Sequence, residues 1–449
     1  MKERKKKVKV WVVTVDMGYG HQRATYPLKD LAYHGIINAN TYQGIPHRDR
    51  KHWTDQRRFY EAISRFKNFP VLGNLAFEAF DEFQKIPKFY PKRDLSKKSF
   101  QVSASFRLLK EGNLGEHLIN KLKKKNKLSL VTSFFLTAFM GEIFNYPGEI
   151  YCIICDADIS RAWVSVNAKE SRIKYFAPCQ RVVERLKLYG ISESRIFLTG
   201  FPLPKENIGN ERFNILKQDL KNRLVNLDPQ RFYLNKYHDT LCKNLSIRNF
   251  PKKANHPLTI TFVVGGAGAQ REVGAQILKG LRSEIMAGKI RVNLIAGIHH
   301  QVNRYFKKHV LELSLRKYLG KTVRILFTPN KMDYFRQFNF WLRTTDILWT
   351  KPSELTFYSG LGLPIIMAPP IGSQEEFNRK YLMSLGAGID QDNLKYVNEW
   401  LFDWINSGRL AEASAQGFLE APKLGTFNIE KVLAKQISRA KQVKTISPY

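Results

Sequence analysis

The side chain with the most chemical promise is His21. It closes the run Val10-Trp11-Val12-Val13-Thr14-Val15-Asp16-Met17-Gly18-Tyr19-Gly20-His21, in which an apolar strand enters a glycine turn. Gly18 and Gly20 let the backbone turn sharply and approach a ligand without Cβ obstruction. Residues 22–33 then predict a helix whose first N–H groups favour an anion or an oxygen-rich ligand. His21 is thereby a candidate catalytic residue at the mouth of a sheet. Strand, glycine turn and helix also occur in βα units with a purely structural role, so the rest of the chain must decide.

A second glycine turn, Gly265-Gly266-Ala267-Gly268-Ala269-Gln270, follows apolar residues 260–264 and precedes a helical pattern through 281. Such a turn at a helix N-terminus can cradle phosphate with backbone N–H groups. It is not a Walker A loop, because no Gly-Lys-Ser/Thr follows, and it lacks the full GxGxxG spacing. A third constellation comprises Trp349-Thr350-Lys351-Pro352-Ser353-Glu354-Leu355-Thr356, Gly362-Leu363-Pro364 and Gly372-Ser373-Gln374-Glu375-Glu376-Phe377-Asn378. Carboxylates and amides at the carboxyl ends of consecutive strands suit a ribose or a sugar ring, whose hydroxyls both donate and accept. Glu354 and Glu376 read equally well as acids that complement helix N-termini.

Two short motifs are weaker. Asp156-Ala157-Asp158 is a DxD, a motif able to hold a divalent cation on a nucleotide diphosphate, yet it ends a strand of the first half with a second α/β half still to come. Cys152 and Cys155 form a CxxC, but in the strand-like residues 150–155 they point to opposite faces, which argues against a redox or zinc pair. Four cysteines in 449 residues are too few for a disulfide scaffold and imply a reducing cytoplasm.

The elements that must position these groups follow from apolar, β-branched runs. Such runs recur at 8–15, 128–133, 150–155, 173–177 and 195–199, and again at 258–264, 292–296, 323–327, 346–349 and 364–367, separated by segments of helical periodicity. Each set predicts a parallel α/β domain, and the length supports two domains of roughly 200 residues each. Residues 204–257, opened by Pro202 and Pro204, are polar, partly helical and free of strong strand runs. They read as an interdomain connection with a helical insertion. The expected architecture is α/β, two doubly wound Rossmann-like domains facing across a cleft.

The formal net charge of +34 calls for an acidic partner: nucleic acid, nucleotide substrates or anionic lipid. No segment resembles a base-stacking or groove-reading module, so nucleic acid is not expected. No uninterrupted apolar run reaches transmembrane length, and the apolar stretch after the basic residues 2–9 lacks the cleavage site of a signal peptide. In residues 57–127, Phe59, Tyr60, Phe66, Phe69, Phe89 and Tyr90 alternate with Arg57, Arg58, Arg65, Lys67, Lys85, Lys88, Lys92, Arg93, Lys97 and Lys98. Such a segment can lie in a lipid interface, or it can be a pair of amphipathic helices covering the sheet.

Taken in order, these motifs resemble the GT-B glycosyltransferases of family 28 type, which include the monogalactosyldiacylglycerol synthases, the diacylglycerol glucosyltransferases and the peptidoglycan GlcNAc transferase. The match runs from Asp16-Met17-Gly18-Tyr19-Gly20-His21 through Asp156, Trp163, Tyr175-Phe176-Ala177 and Thr199-Gly200-Phe201-Pro202. It continues through the glycine loop at 265, Lys351-Pro352, Gly362-Leu363-Pro364 and Gln374-Glu375-Glu376-Phe377-Asn378, so it spans most of the chain. Three departures stand out. Tyr19 replaces a glycine of the family turn, the 204–257 connection is longer, and the stretch from 350 to 364 is about two residues shorter. The shortening brings Phe357 or Ser359 to the place of the family's ribose-binding glutamate, with Glu354 as its nearest replacement.

The resemblance implies an inverting transfer of a sugar from a UDP-sugar to a lipid-type acceptor at the cytoplasmic membrane face, with no metal cofactor. His21 would be the general base, oriented or assisted by Asp16, with Gly18, Tyr19 and Gly20 at the acceptor. Gly265, Gly266, Gly268, Glu354, Gln374 and Glu375 would bind the donor. The implied domains are an acceptor domain at 1–203 with a membrane-facing segment at 57–127, the connection at 204–257, a nucleotide-sugar domain at 258–425, and a C-terminal helix at 426–449 packing back on the first domain. A nucleotide-sugar epimerase or hydrolase of the same fold, or a non-catalytic binding homologue, is the alternative.

Overall fold

The computed structural model describes residues 8–55, 85–125, 128–265, 268–370 and 372–445. The part of the basic and aromatic segment at 56–84, and Gly266 of the second glycine turn, lie outside the described residues. Contacts divide the chain into two units, Met1–Leu203 with Leu424–Tyr449, and Pro204–Lys423.

In the first unit the strands are β1 (Trp11–Thr14), β2 (Ile37–Asn38), β3 (Leu130–Thr132), β4 (Ile150–Ile153), β5 (Lys174–Ala177) and β6 (Ile196–Leu198). They form one parallel sheet in the order β2-β1-β3-β4-β5-β6. In the second unit, β7 (Leu258–Val263), β8 (Ile290–Gly297), β9 (Val323–Phe327), β10 (Ile347–Thr350), β11 (Ile365–Met367) and β12 (Gly388–Asp390) form another parallel sheet, ordered β12-β11-β10-β7-β8-β9. The central strands are buried along their length, as sheets covered by helices on both faces require. The chain is thus α/β with two doubly wound, Rossmann-like sheets.

Each sheet has a point where the winding reverses. In the first, the chain leaves β1 for β2 on one side and returns to β3 on the other; in the second, β7 is flanked by β8 and β10 in the same way. Loops that leave such adjacent strands diverge and open a crevice at their carboxyl ends.

Three features depart from the sequence reading. The helix expected over 22–33 is only Gly20–Thr25, followed by a 3₁₀ turn at Tyr26–Leu28, because Pro27 cannot continue an α-helical hydrogen-bond ladder. β2 and β12 were not foreseen, since two or three half-buried residues at a sheet edge carry little hydrophobic pattern. Residues 204–257 are helical, at Lys205–Ile208, Asn214–Leu227, Phe232–Lys236 and His238–Leu245, and belong to the second unit. Of the 85–125 region, the helix Phe100–Glu111 packs Phe106 on Phe139 of the helix Phe135–Ile143 at 4.9 Å and buries Val102 and Leu109, so this portion packs against that helix.

The final helix, Gly425–Thr445, is held to the first unit by Thr426, whose hydroxyl donates to the Leu203 carbonyl at 2.6 Å, and by Asn428, which donates to the Thr199 carbonyl at 2.9 Å. Just before it, Lys423 donates to the Phe418 and Ala421 carbonyls, and burial lowers its ammonium to about 8. Because the folded value lies below the unfolded one, the unfolded chain binds the extra proton between pH 8 and the ordinary lysine range. Stability should therefore rise with pH across that window, and Lys423→Met should flatten the rise in thermal melts. A slope unchanged by the substitution would show that Lys423 is not its source.

Candidate functional site

The first crevice contains His21. Gly18 has φ +92°, a conformation that L side chains rarely adopt, which lets the chain turn straight from β1 into the helix Gly20–Thr25. The His21 Nδ1 lies 2.7 Å from the carbonyl oxygen of Ser133, the residue after β3. A carbonyl can only accept, so Nδ1 carries the hydrogen and, in the neutral ring, the basic lone pair is on Nε2. The strand ends are joined below by Thr14 and Ser133, whose hydroxyls are 3.3 Å apart. Phe134 meets the imidazole edge to face at 4.8 Å, and Trp163 lies 6.2 Å away.

Asp16 lies on the same turn. Its backbone N–H donates to Asn40 Oδ1 at 2.9 Å, its carbonyl accepts from Asn40 at 3.2 Å, and its carboxylate accepts from Gln22 at 3.3 Å. The Ser133 carbonyl is an acceptor that orients His21. Tyr19 is buried, with the Arg23 guanidinium 5.6 Å from its ring centre. Cys155 Sγ stands 3.8 Å from both His21 Nδ1 and the Ser133 carbonyl, whereas burial pushes the Cys152 thiol far above its ordinary value. Ser133 and Cys155 were not singled out as site residues from sequence; the only signal they carry is their place at the carboxyl ends of the strands beside β1.

The second crevice gathers Gly265, Lys351 and Glu375. Lys351 follows β10 and runs across the glycine turn after β7, so that a Cβ on Gly265 would lie 3.0 Å from Lys351 Cε. Its ammonium pairs with the Glu375 carboxylate, both side chains being largely buried. Glu375 and Gln374 sit in the first turn of the helix Ser373–Ser384, and Gln270 ties the glycine turn to the end of β11 by donating to the Pro369 carbonyl at 2.8 Å. The sequence motif included Lys351, but nothing there showed that its side chain covers the glycine turn.

Two backbone amides of that turn are already engaged. The Gly265 N–H donates to the Ala269 carbonyl at 3.3 Å and the Gly268 N–H to the Gly265 carbonyl at 2.8 Å. The Val273 N–H likewise donates to the Gln270 carbonyl at 3.1 Å, so the donors presented at the start of the helix Arg271–Gly280 are the Arg271 and Glu272 amides, which by position have no carbonyl partner within the helix. Glu354 opens the 3₁₀ helix Glu354–Leu361 and is half-buried, while Phe357 and Ser359 are 3% and 0% exposed. Of these three positions Glu354 alone keeps an accessible side chain.

Asp158 of the DxD faces the interior. It takes two hydrogen bonds of 2.8 Å from Arg185, and both side chains are 1% exposed or less. Burial alone would lower the Arg185 guanidinium, but the hydrogen bonds and charge of Asp158 outweigh it and raise it. A cation at Asp158 would have to displace this partner.

No family model and no curated protein matches the sequence. Solved structures match its fold. S. aureus MnaA, in a co-structure with UDP, aligns over 99% of both chains with a TM-score of 0.50 and 11% identity. UDP-GlcNAc 2-epimerase from Neisseria meningitidis, bound to UDP-GlcNAc, aligns over 96% of this chain and 100% of its own, with a TM-score of 0.48 and 12% identity. Acinetobacter baumannii MurG aligns over 95% of this chain and 99% of its own, with a TM-score of 0.46 and 14% identity. The two doubly wound sheets, with the full-length likeness to MnaA, define a GT-B-type α/β fold.

Proposed function

We propose that this chain is an inverting glycosyltransferase that moves a sugar from a UDP-sugar to a lipid-type acceptor at the cytoplasmic membrane face. The observation that carries the proposal is the His21 imidazole, fixed across the reversal point of the first sheet with its basic lone pair on Nε2. In the proposed step, the acceptor O–H gives its proton to Nε2 while its oxygen attacks the anomeric carbon. The bond from that carbon to the diphosphate breaks, and UDP leaves with the electron pair.

The leaving diphosphate is assigned to the first amides of Arg271–Gly280 and to the Lys351 ammonium, which stabilise the charge it gains. Glu375, now held by Lys351, and Gln374 are assigned to sugar hydroxyls, and Glu354 to the ribose. This scheme uses no metal. Support for a nucleotide-sugar donor comes from the Gly265, Lys351 and Glu375 cluster at the second reversal point, and from a shared fold with a protein solved with UDP.

The lipid part of the proposal is supported by Tyr90 and Phe100, 68% and 82% exposed, among exposed Lys88, Lys92, Arg93, Lys97 and Lys98. Among the described residues no helix is long and apolar enough to cross a membrane, so association would be peripheral. Each cation near an anionic leaflet contributes about 1 kcal/mol. Reversing these five cations to glutamate should therefore abolish sedimentation with phosphatidylglycerol vesicles at low salt. Undiminished sedimentation would overturn the membrane assignment.

The activity itself is tested by incubating the protein with labelled UDP-sugars and a total lipid extract. Labelled glycolipid is the expected product. Consumption of a UDP-sugar without labelled lipid would instead favour an epimerase or hydrolase, and UDP-sugar binding without turnover a non-catalytic homologue.

A further inference from the structure

A concavity of about 570 Å³ lies within the helical part of the second unit, lined by Arg212, Phe213, Lys217, Lys221, Leu245 and Ser246 among others. It belongs to residues 204–257 and shares no residue with the His21 or Lys351 sites. Its size falls within the range of small-molecule pockets.

Its charge is one-sided. Lys217 and Lys221 stand four residues apart on the helix Asn214–Leu227, where like charges on one face repel. The first turn of that helix has no acidic residue, so nothing there complements its positive end. The only acid of the helix, Asp219, is engaged by Arg343 through two hydrogen bonds of 3.1 Å. Among the described residues, none of Arg212, Lys217 and Lys221 has a carboxylate within ion-pairing distance.

The polar groups are also aimed. Lys217 donates to the Ser246 hydroxyl oxygen at 2.9 Å, which leaves the Ser246 hydrogen to be donated onward. Phe213 and Ser246, both in the pocket lining, hold positive φ, at 62° and 59°. For a phenylalanine this is a strained conformation that surrounding structure must maintain.

From this arrangement we propose a second ligand site, for a phosphorylated small molecule with a flat body, of the nucleotide class. Arg212, Lys217 and Lys221 take the phosphates, Ser246 donates to a phosphate oxygen, and Phe213 packs on the base or another planar group. Cations alone would accept any polyanion; the aromatic wall beside them selects an anion with a ring.

Isothermal titration with ADP and with inorganic pyrophosphate tests it. Wild-type protein should bind both at submillimolar concentration, ADP more tightly. Lys217→Gln/Lys221→Gln should weaken both at least tenfold, whereas Phe213→Leu should weaken ADP and leave pyrophosphate unchanged. UDP binding at the glycine turn should survive in both variants, so failure of the donor site and failure of this one are separable. Absence of ADP and pyrophosphate binding in the wild type, or equal binding in Lys217→Gln/Lys221→Gln, would overturn the proposal.

Discussion

His21→Ala should reduce glycosyl transfer by about 10²–10⁴-fold, the usual contribution of a positioned general base. Donor affinity, measured with UDP, should stay near wild type, because the groups assigned to UDP belong to the other unit. His21→Asn is the sharper variant. Its side-chain amide can donate to the Ser133 carbonyl as Nδ1 does, preserving the clasp between the ends of β1 and β3, but it offers no basic lone pair at the Nε2 position. If the histidine acts as a base, His21→Asn should melt like the wild type and transfer as poorly as His21→Ala. Full transfer by His21→Asn would leave the histidine a structural role only.

Asp158→Asn should cost about 3–5 kcal/mol of stability, since removing one partner of a buried ion pair leaves the other charge uncompensated. Arg185 is fully enclosed and its partner is 1% exposed, so water cannot take over the lost bonds. For a unit of this size the melting temperature should fall by roughly 6–20 °C. Asp158→Leu/Arg185→Met should recover much of the loss, because an apolar pair of similar volume needs no desolvation. The effect should reach the neighbouring segment, where Phe89 lies 3.9 Å from the Arg181 guanidinium and 5.0 Å from that of Arg185. Faster amide exchange near Phe89 would register it. A DxD that held a metal would behave otherwise: Asp158→Asn would melt normally and lose only metal-dependent activity.

Sequence and structure agree where side chains alone decide. The buried strands of both sheets were legible as β-branched apolar runs, and the turn after β1 was legible because Gly18 stands where φ must be positive. The orientation of His21 was hidden, since its partner is a backbone carbonyl contributed from 112 residues away, and every residue has one. Lys351 was visible as part of a motif but not as the cover of Gly265, a relation set by the adjacency of β7 and β10. The DxD was a weak motif in the sequence, and its spacing does not show which way the Asp158 carboxylate faces. The short edge strands β2 and β12 left no pattern because edge residues are only half-buried.

The C-terminal helix makes the first unit discontinuous: the chain builds most of it, completes the second unit, and only then supplies Gly425–Thr445. During synthesis the second unit can thus finish folding while the first still lacks its last piece. Premature termination after Lys423 would leave the second unit whole and remove from the first unit the helix that satisfies the carbonyls of Thr199 and Leu203. Damage at the end of the chain would then be felt by the half of the protein that is made first.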